Sequence, residues 1–419
     1  MSPVSKNIIG KNNEAIVYTW LCIGIVYSML FLTILNSILS ITLVAWWLIF
    51  SKKEFDLPSR KTKLMLLFLS LYLIGIAGMI YTNNTKAGIA TLKTQSAIFF
   101  FPLVFGTTSI LSSSILQKIK THLLIATSIT CITGLAFGFY HYIQTENIEQ
   151  LTGHYILPFH ALRPVFMGWF CLLAMIIAFQ KLESGSIKIK RVLYACIVLI
   201  TLMIFLLSIR LVIVCWFAVS LYFYIRISQK LLHKLLLVIA SVLILIISGL
   251  SIPPVKRQWN DFFDLSAKTT IILDQDSSLG RSWGGKALRI AIWKCSADIL
   301  KDHLLIGVGT GDVQDSLQMA YENRKFYFAS RYNRYNAHNE YLQITLANGL
   351  PGILILLSCI AYPLFQYKKK FSGNTYLLFL LLFTVAAVSE SLLEANKGII
   401  WYSFFNSIFA FGYLKSDQQ

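Results

Sequence analysis

The sequence predicts an all-α protein that passes repeatedly through a membrane, and three observations converge on that class. Hydrophobic residues make up 56% of the 419-residue chain and charged residues only 13%, for a mean hydropathy of +0.65, which excludes an ordinary soluble globule. Apolar runs long enough to cross the ~30 Å hydrocarbon layer as helices recur along the whole chain. The formal charge of +18 collects in alternate short connections between those runs, the placement of a multi-pass membrane protein rather than of a nucleic-acid binder.

Twelve spans are expected, near residues 15–34, 37–50, 64–82, 88–110, 122–143, 164–180, 191–207, 211–227, 235–253, 351–367, 375–389 and 399–414. Only Asn36 and Ser37 divide the first two. The pattern separates an N-terminal bundle of about nine spans (1–253), a polar segment (254–350) and about three C-terminal spans (351–419). No short apolar core ending in a small-residue cleavage site follows Lys6 and Lys11, so the first span is expected to stay as an anchor. Cys22, Cys131, Cys171, Cys196, Cys215 and Cys359 fall in apolar runs as small hydrophobes, and Cys295 alone sits in polar surroundings. Neither a disulfide framework nor a CxxC metal pair follows from them.

Orientation comes from the basic residues. One set of connections carries Lys6 and Lys11, then Lys52, Lys53, Arg60, Lys61 and Lys63, then Lys118 and Lys120. It continues with Lys181, Lys188, Lys190 and Arg191, with Arg226, Lys230 and Lys234, with Lys368, Lys369 and Lys370, and with Lys415. The opposite short connections hold only Lys86, Arg163, Arg210 and Lys397. The positive-inside rule therefore expects both termini in the cytoplasm and the segment 254–340 on the far side. ATP and nucleotide sugars are absent there in a bacterium, so chemistry on that face needs a donor that arrives already activated, as a lipid-linked one does.

The far face carries the stretch His338-Asn339-Glu340 through Gly349-Leu350-Pro351-Gly352. Imidazole titrates near neutrality, so His338 is a candidate general base, and Asn339 can orient a polar substrate without adding charge. Gly349 tolerates a bend and Pro351 suits a first helical turn, so the pair is expected to end one helix and start another. Arg210 lies in a minimal break between two spans, Leu207-Ser208-Ile209-Arg210-Leu211. It is either a functional charge or an arginine reaching to lipid headgroups. Arg289 and Trp293 stand four apart on one expected helical face, and a guanidinium there suits phosphate oxygens or is simply a solvated helix charge.

Other features read as structure. Gly307-Val308-Gly309-Thr310-Gly311 lacks the Lys-Ser/Thr of a phosphate loop and is expected to be a turn. Asp274-Gln275-Asp276 reads as a flexible loop, and His154, His160 and His303 lack metal-ligand spacing. The aromatic and basic run from Arg324 to Tyr335 fits a membrane boundary, or a surface on which a glycan stacks before His338. Glu390 and Glu394 either orient a His or Arg or cap a helix end.

These residues resemble the O-antigen ligase and polymerase superfamily of cell-envelope glycosyltransferases. The ligase signature is His, then Asn, Ser or Gln, nine residues, Gly, two residues, and Gly, Thr or Tyr. His338, Asn339, Gly349 and Gly352 satisfy each fixed position. The resemblance extends over residues 190 to 415 through Ser208 with Arg210, Arg289 with Trp293, and the turn at Gly307 and Gly309; Ile209 separates a Ser-Arg pair that is often adjacent in the family. It implies a GT-C-type, inner-membrane glycosyltransferase that works without metal or cofactor on an undecaprenyl-diphosphate-linked glycan and a sugar hydroxyl of the lipid A core. In that scheme His338 activates the hydroxyl, Arg210 and Arg289 hold the leaving diphosphate, and direct displacement inverts the anomeric centre. An O-antigen or exopolysaccharide polymerase, a protein O-oligosaccharyltransferase and a non-enzymatic polysaccharide transporter are the competing readings. No internal repeat of the kind transporters show is visible.

Overall fold

The computed structural model describes residues 3–56, 59–157, 162–184, 187–227, 285–367 and 375–416. Every regular element among them is helical, and eight helical stretches, with the two consecutive helices of Thr85–Thr107 counted as one, are long and apolar enough to cross a bilayer. The multi-pass, all-α expectation is therefore met at that level. The expected span at 235–253, the Asp274-Gln275-Asp276 stretch and His160 lie outside the described residues.

In chain order the helices are α1 (Pro3–Phe31), α2 (Thr33–Phe50), α3 (Arg60–Gly78), α4 (Thr85–Gln95), α5 (Ala97–Thr107), α6 (Ser113–Thr145) and α7 (Pro164–Ser184). They continue as α8 (Ile187–Leu207), α9 (Arg210–Ile227), α10 (Gly285–His303), α11 (Val313–Asn323), α12 (Glu340–Tyr367), α13 (Thr375–Ser389) and α14 (Asn396–Ser416). They group into two compact units that do not follow chain order: Met1–Ser51 with Ile110–Asn260, and Lys52–Ser109 with Asp261–Gln419.

In the first unit the break between the first two helices falls at extended Leu32 (φ −140°, ψ 106°), not at Asn36 and Ser37 as expected. Asn36 is buried inside α2, where its amide donates to the Ile25 carbonyl at 3.1 Å and to Ser28 Oγ at 2.9 Å. A buried polar group in apolar surroundings must find partners, and here it finds them on the neighbouring helix, tying α1 to α2. Helix α7 forms the centre of the unit, with 83% of its apolar stretch buried against α6, α8 and α9. Gly168 permits that packing, since a Cβ there would stand 2.7 Å from Val212 Cγ2. Between α8 and α9 the chain turns within two residues, with Ser208 in the left-handed region (φ 57°) and its hydroxyl donating to the Phe205 carbonyl at 3.1 Å. The minimal break expected before Arg210 is present.

The second unit has two kinds of core. Helices α3, α5 and α14 meet through aromatic rings, among them Phe101 and Phe404 with centroids 5.3 Å apart and Phe68 and Phe411 at 6.1 Å, both edge-on, and α12 packs along α3. Lipid is as apolar as these side chains, so dispersion and ring geometry hold such a core. Helices α10 and α11, a π-helical turn (Phe328–Asn333) and the start of α12 enclose a separate cluster that includes Ile292, Cys295, Leu317, Tyr321, Phe326 and Leu346. Its helices are amphipathic and their outer faces polar, so the hydrophobic effect operates there as in a soluble domain.

A turn at 304–309 joins these cores. Val308 N–H donates to the Leu346 carbonyl at 2.8 Å, Gly309 N–H to the Ala347 carbonyl at 3.0 Å, and Leu350 N–H returns to the Leu304 carbonyl at 2.9 Å. The glycine-rich stretch is thus a turn, and it satisfies carbonyls at the end of the first half of α12. At Gly349 (φ 59°, ψ −151°) the helix breaks and restarts, as the Gly-Pro pair implies. A Cβ on Gly349 would lie 2.5 Å from the Leu305 carbonyl oxygen, and one on Gly352 would lie 2.8 Å from Asn348 Cβ. Both glycines of the His338 signature therefore serve close packing. Gly153 is also left-handed (φ 60°), but a Cβ there would meet nothing within 4 Å. Gly349→Ala is accordingly expected to lower thermal stability well beyond the ~1 kcal/mol strain expected of Gly153→Ala, as read by unfolding of detergent-purified protein; equal losses would remove the packing role of Gly349.

Candidate active site

The site is assembled in the second unit from α10, the segment before α12, and the connection after α13. Trp293 on α10 donates its indole N–H to the Ala337 carbonyl at 3.1 Å, which fixes the residue before His338. Gln343, one turn into α12, accepts the Ala337 N–H at 3.1 Å. His338 itself adopts φ 45°, a left-handed conformation unusual for a residue with a Cβ and one that surrounding contacts must hold. Its N–H donates to Asn336 Oδ1 at 3.2 Å. The Tyr335 ring lies beside the imidazole with centroids 5.5 Å apart. Asn339 caps α12, its side-chain oxygen accepting the Leu342 N–H at 3.1 Å.

Glu390 is the central group. Its Oε1 accepts from Arg289 Nη2 at 2.8 Å, and its Oε2 stands 3.4 Å from His338 Nδ1. The second contact lies within ion-pair range, yet ring and carboxylate are not aligned for a formed hydrogen bond. Burial raises the Glu390 carboxyl, but His338 and Arg289 together outweigh it and hold the group below the ordinary glutamate range. A carboxylate at Nδ1 favours the tautomer that leaves Nε2 as acceptor.

Arg289 uses each of its nitrogens: Nε donates to the Ser389 carbonyl at 3.1 Å, Nη1 to the Gly285 carbonyl at 3.3 Å, and Nη2 to Glu390. Two of its five N–H groups are not engaged in these contacts. Arg210, the first residue of α9, belongs to the first unit and is partly buried just after the Ser208 turn.

The stretches of chain around His338 and Glu390 are tied at two further points. Asn339 N–H donates to Ser391 Oγ at 3.2 Å, and Leu393 N–H donates to Glu340 Oε2 at 2.8 Å. Glu340 is only 2% exposed. Beyond this latch lies a cavity of about 100 Å³ whose lining includes Gln95, Thr310, Glu340, Gln343, Asn348 and Glu394. Burial pushes the Glu394 carboxyl up to about 7, against a hydrogen bond from Gln343 that lowers it. The aromatic run expected at a boundary is divided: Phe326 is buried in the small core, while Arg331 stacks over Tyr327 at 4.1 Å. Among the described residues no set of three or more His, Cys, Asp or Glu side chains has the arrangement of a metal site.

The structure thus brings His338, Asn339 and Arg289 together with Glu390, which the sequence offered only as one of two alternatives. It also adds Glu340 and Ser391, for which the sequence carried no signal beyond proximity to His338 and Glu390. Residues 195–357 match the family described as O-antigen ligase. Comparison with curated proteins finds no match. The family match supports the O-antigen ligase and polymerase superfamily, whose members are glycosyltransferase-like enzymes acting on lipid-linked glycans in the membrane. It covers under half of the chain and includes Arg210, Arg289, His338, Asn339, Gly349 and Gly352; Glu390 and Glu394 fall beyond it.

The position of Glu394 has a pH consequence. Between the ordinary glutamate value of 4.5 and about 7 the folded protein holds a proton there that the unfolded chain has lost, so this group's contribution to stability falls as pH rises through that window. Glu394→Gln is expected to shrink the drop in melting temperature between about pH 5 and about pH 8, measured by scanning fluorimetry; an undiminished drop would assign the slope to other groups.

Proposed function

We propose that this chain, whose central segment is that of the O-antigen ligase family, transfers a glycan from undecaprenyl diphosphate to a sugar hydroxyl of the lipid A core on the periplasmic face of the bacterial inner membrane. The observation that carries this reading is the single carboxylate of Glu390 placed between His338 and Arg289. A carboxylate at one imidazole nitrogen and a guanidinium held beside it suit a reaction that removes a hydroxyl proton while negative charge develops on a leaving phosphate.

Each residue then has one task. His338 Nε2 takes the proton of the acceptor hydroxyl as its oxygen attacks the anomeric carbon and the bond to the diphosphate breaks. Glu390 orients the ring and stabilises the imidazolium that forms, as the buried acid does in a catalytic triad. The two N–H groups of Arg289 not used by Ser389, Gly285 and Glu390 are offered to the diphosphate, and the resemblance to the ligases assigns the second guanidinium to Arg210. The diphosphate is a good leaving group, so positioning, one base and charge stabilisation account for the chemistry without an energy source on that face. Attack from the side opposite the diphosphate inverts the anomeric configuration.

The test uses full-length protein in lipid nanodiscs with a polysaccharide on undecaprenyl diphosphate and lipid A-core as acceptor. His338→Ala is expected to lower the rate about a hundredfold or more while inserting normally, and Arg289→Lys is expected to impair transfer despite its retained charge because the planar fork is lost. Full transfer by His338→Ala would remove the catalytic assignment. In cells, loss of core-capped lipid A with polymer still built on its carrier fits ligation. Accumulation of single-repeat glycans would assign polymerisation instead.

A further inference from the structure

The latch between the His338 segment and the connection carrying Glu390 contains a group that the chemistry above leaves unused. Glu340 follows the base by two residues, and its Oε2 accepts the N–H of Leu393, three residues beyond Glu390. At 2% exposure the carboxyl is withdrawn from water, and among the described residues no Arg or Lys lines the cavity it borders. Such burial opposes folding. Net stability is therefore not what this side chain supplies, although its oxygen satisfies the N–H of Leu393.

Geometry supplies another account. His338 and Glu390 lie on separate stretches of chain, and the 3.4 Å between Nδ1 and Oε2 is set by whatever holds those stretches in register. His338 contributes little stiffness of its own, since its φ of 45° is strained. Asn339 N–H reaches a hydroxyl, Ser391 Oγ, whereas Glu340 offers a carboxyl oxygen from the first turn of α12, an element capped by Asn339.

We propose that Glu340 is a positioning residue: by clamping Leu393 it sets the separation between the His338 ring and Glu390. The inference rests on the reading of His338 as the base. Loosening the clamp leaves the groups that bind substrate in place and misaligns the carboxylate that must stabilise the imidazolium, so the chemical step suffers and binding does not.

The experiment compares Glu340→Gln, which keeps an acceptor oxygen, with Glu340→Met, which keeps the length and removes it, in the nanodisc transfer assay. Glu340→Met is expected to insert and to melt close to the parent, because release of the buried carboxyl offsets the N–H of Leu393 left without its acceptor, yet to lose about tenfold in kcat with KM within about twofold. Glu340→Gln is expected to restore most of that rate. Combined with Glu390→Gln, the Met substitution is expected to add little further loss, since both act through one contact. Hydrogen exchange at 389–394 should quicken in Glu340→Met, a readout that does not depend on activity.

Parent-like kcat in Glu340→Met, a loss that multiplies with that of Glu390→Gln, or unchanged exchange at 389–394 overturns the inference. So does failure of Glu340→Met to accumulate, which would assign the residue to folding. Full transfer by His338→Ala would instead sink the reading of the base, and the exchange measurement would still decide whether the clamp exists.

Discussion

One carboxylate organises the site. Glu390 meets a guanidinium on one oxygen and an imidazole near the other, and neither neighbour is close to it in sequence. A buried acid without such partners would take up a proton and lose its orienting charge. With them it stays ionised, and the three side chains hold three elements together: α10 through Arg289, the lead-in to α12 through His338, and the connection after α13 through Glu390 itself. The arrangement that suits proton transfer is therefore also part of what assembles the second unit.

Around that charge the signature of the family divides into chemistry and scaffold. His338 is the group with reactive potential. Asn339 ends the orphan status of a helix-terminal N–H, Gly349 lets the chain break where the Leu305 carbonyl approaches, and Gly352 leaves room for Asn348. The nine-residue spacing between Asn339 and Gly349 corresponds to the short first half of α12, whose terminal carbonyls are completed by the turn at 304–309. A phosphate loop would present its N–H groups to a ligand. This turn gives two of them to Leu346 and Ala347.

The sequence made the helical, multi-pass class legible because hydropathy over about 20 residues follows directly from the thickness of a bilayer. It also made the kink at Gly349 and the tight turn before Arg210 legible, since both arise from local backbone chemistry. It misplaced the break between the first two helices, because Asn36 resembles a terminator until its partners Ile25 and Ser28 are seen on the neighbouring helix. His338 and Arg289 could be picked out singly by residue type. Their bridging through Glu390, and the role of Glu340, depend on contacts between residues about 50 and 100 positions apart, which no spacing rule encodes.

The interleaved grouping of the helices bears on biosynthesis. Residues 52–109 pack with residues beyond 260, although the stretch that follows them in the chain belongs to the other unit. As the polypeptide leaves the ribosome, α3 and α5 must wait in the lipid for α12 and α14 before their aromatic faces are covered. Long delays of this kind raise the entropic cost of closure and expose half-made bundles to quality control. A nascent chain stopped before α12 would carry a finished first unit and an unmatched α3 to α5 segment, the kind of intermediate that membrane proteases and insertases discriminate.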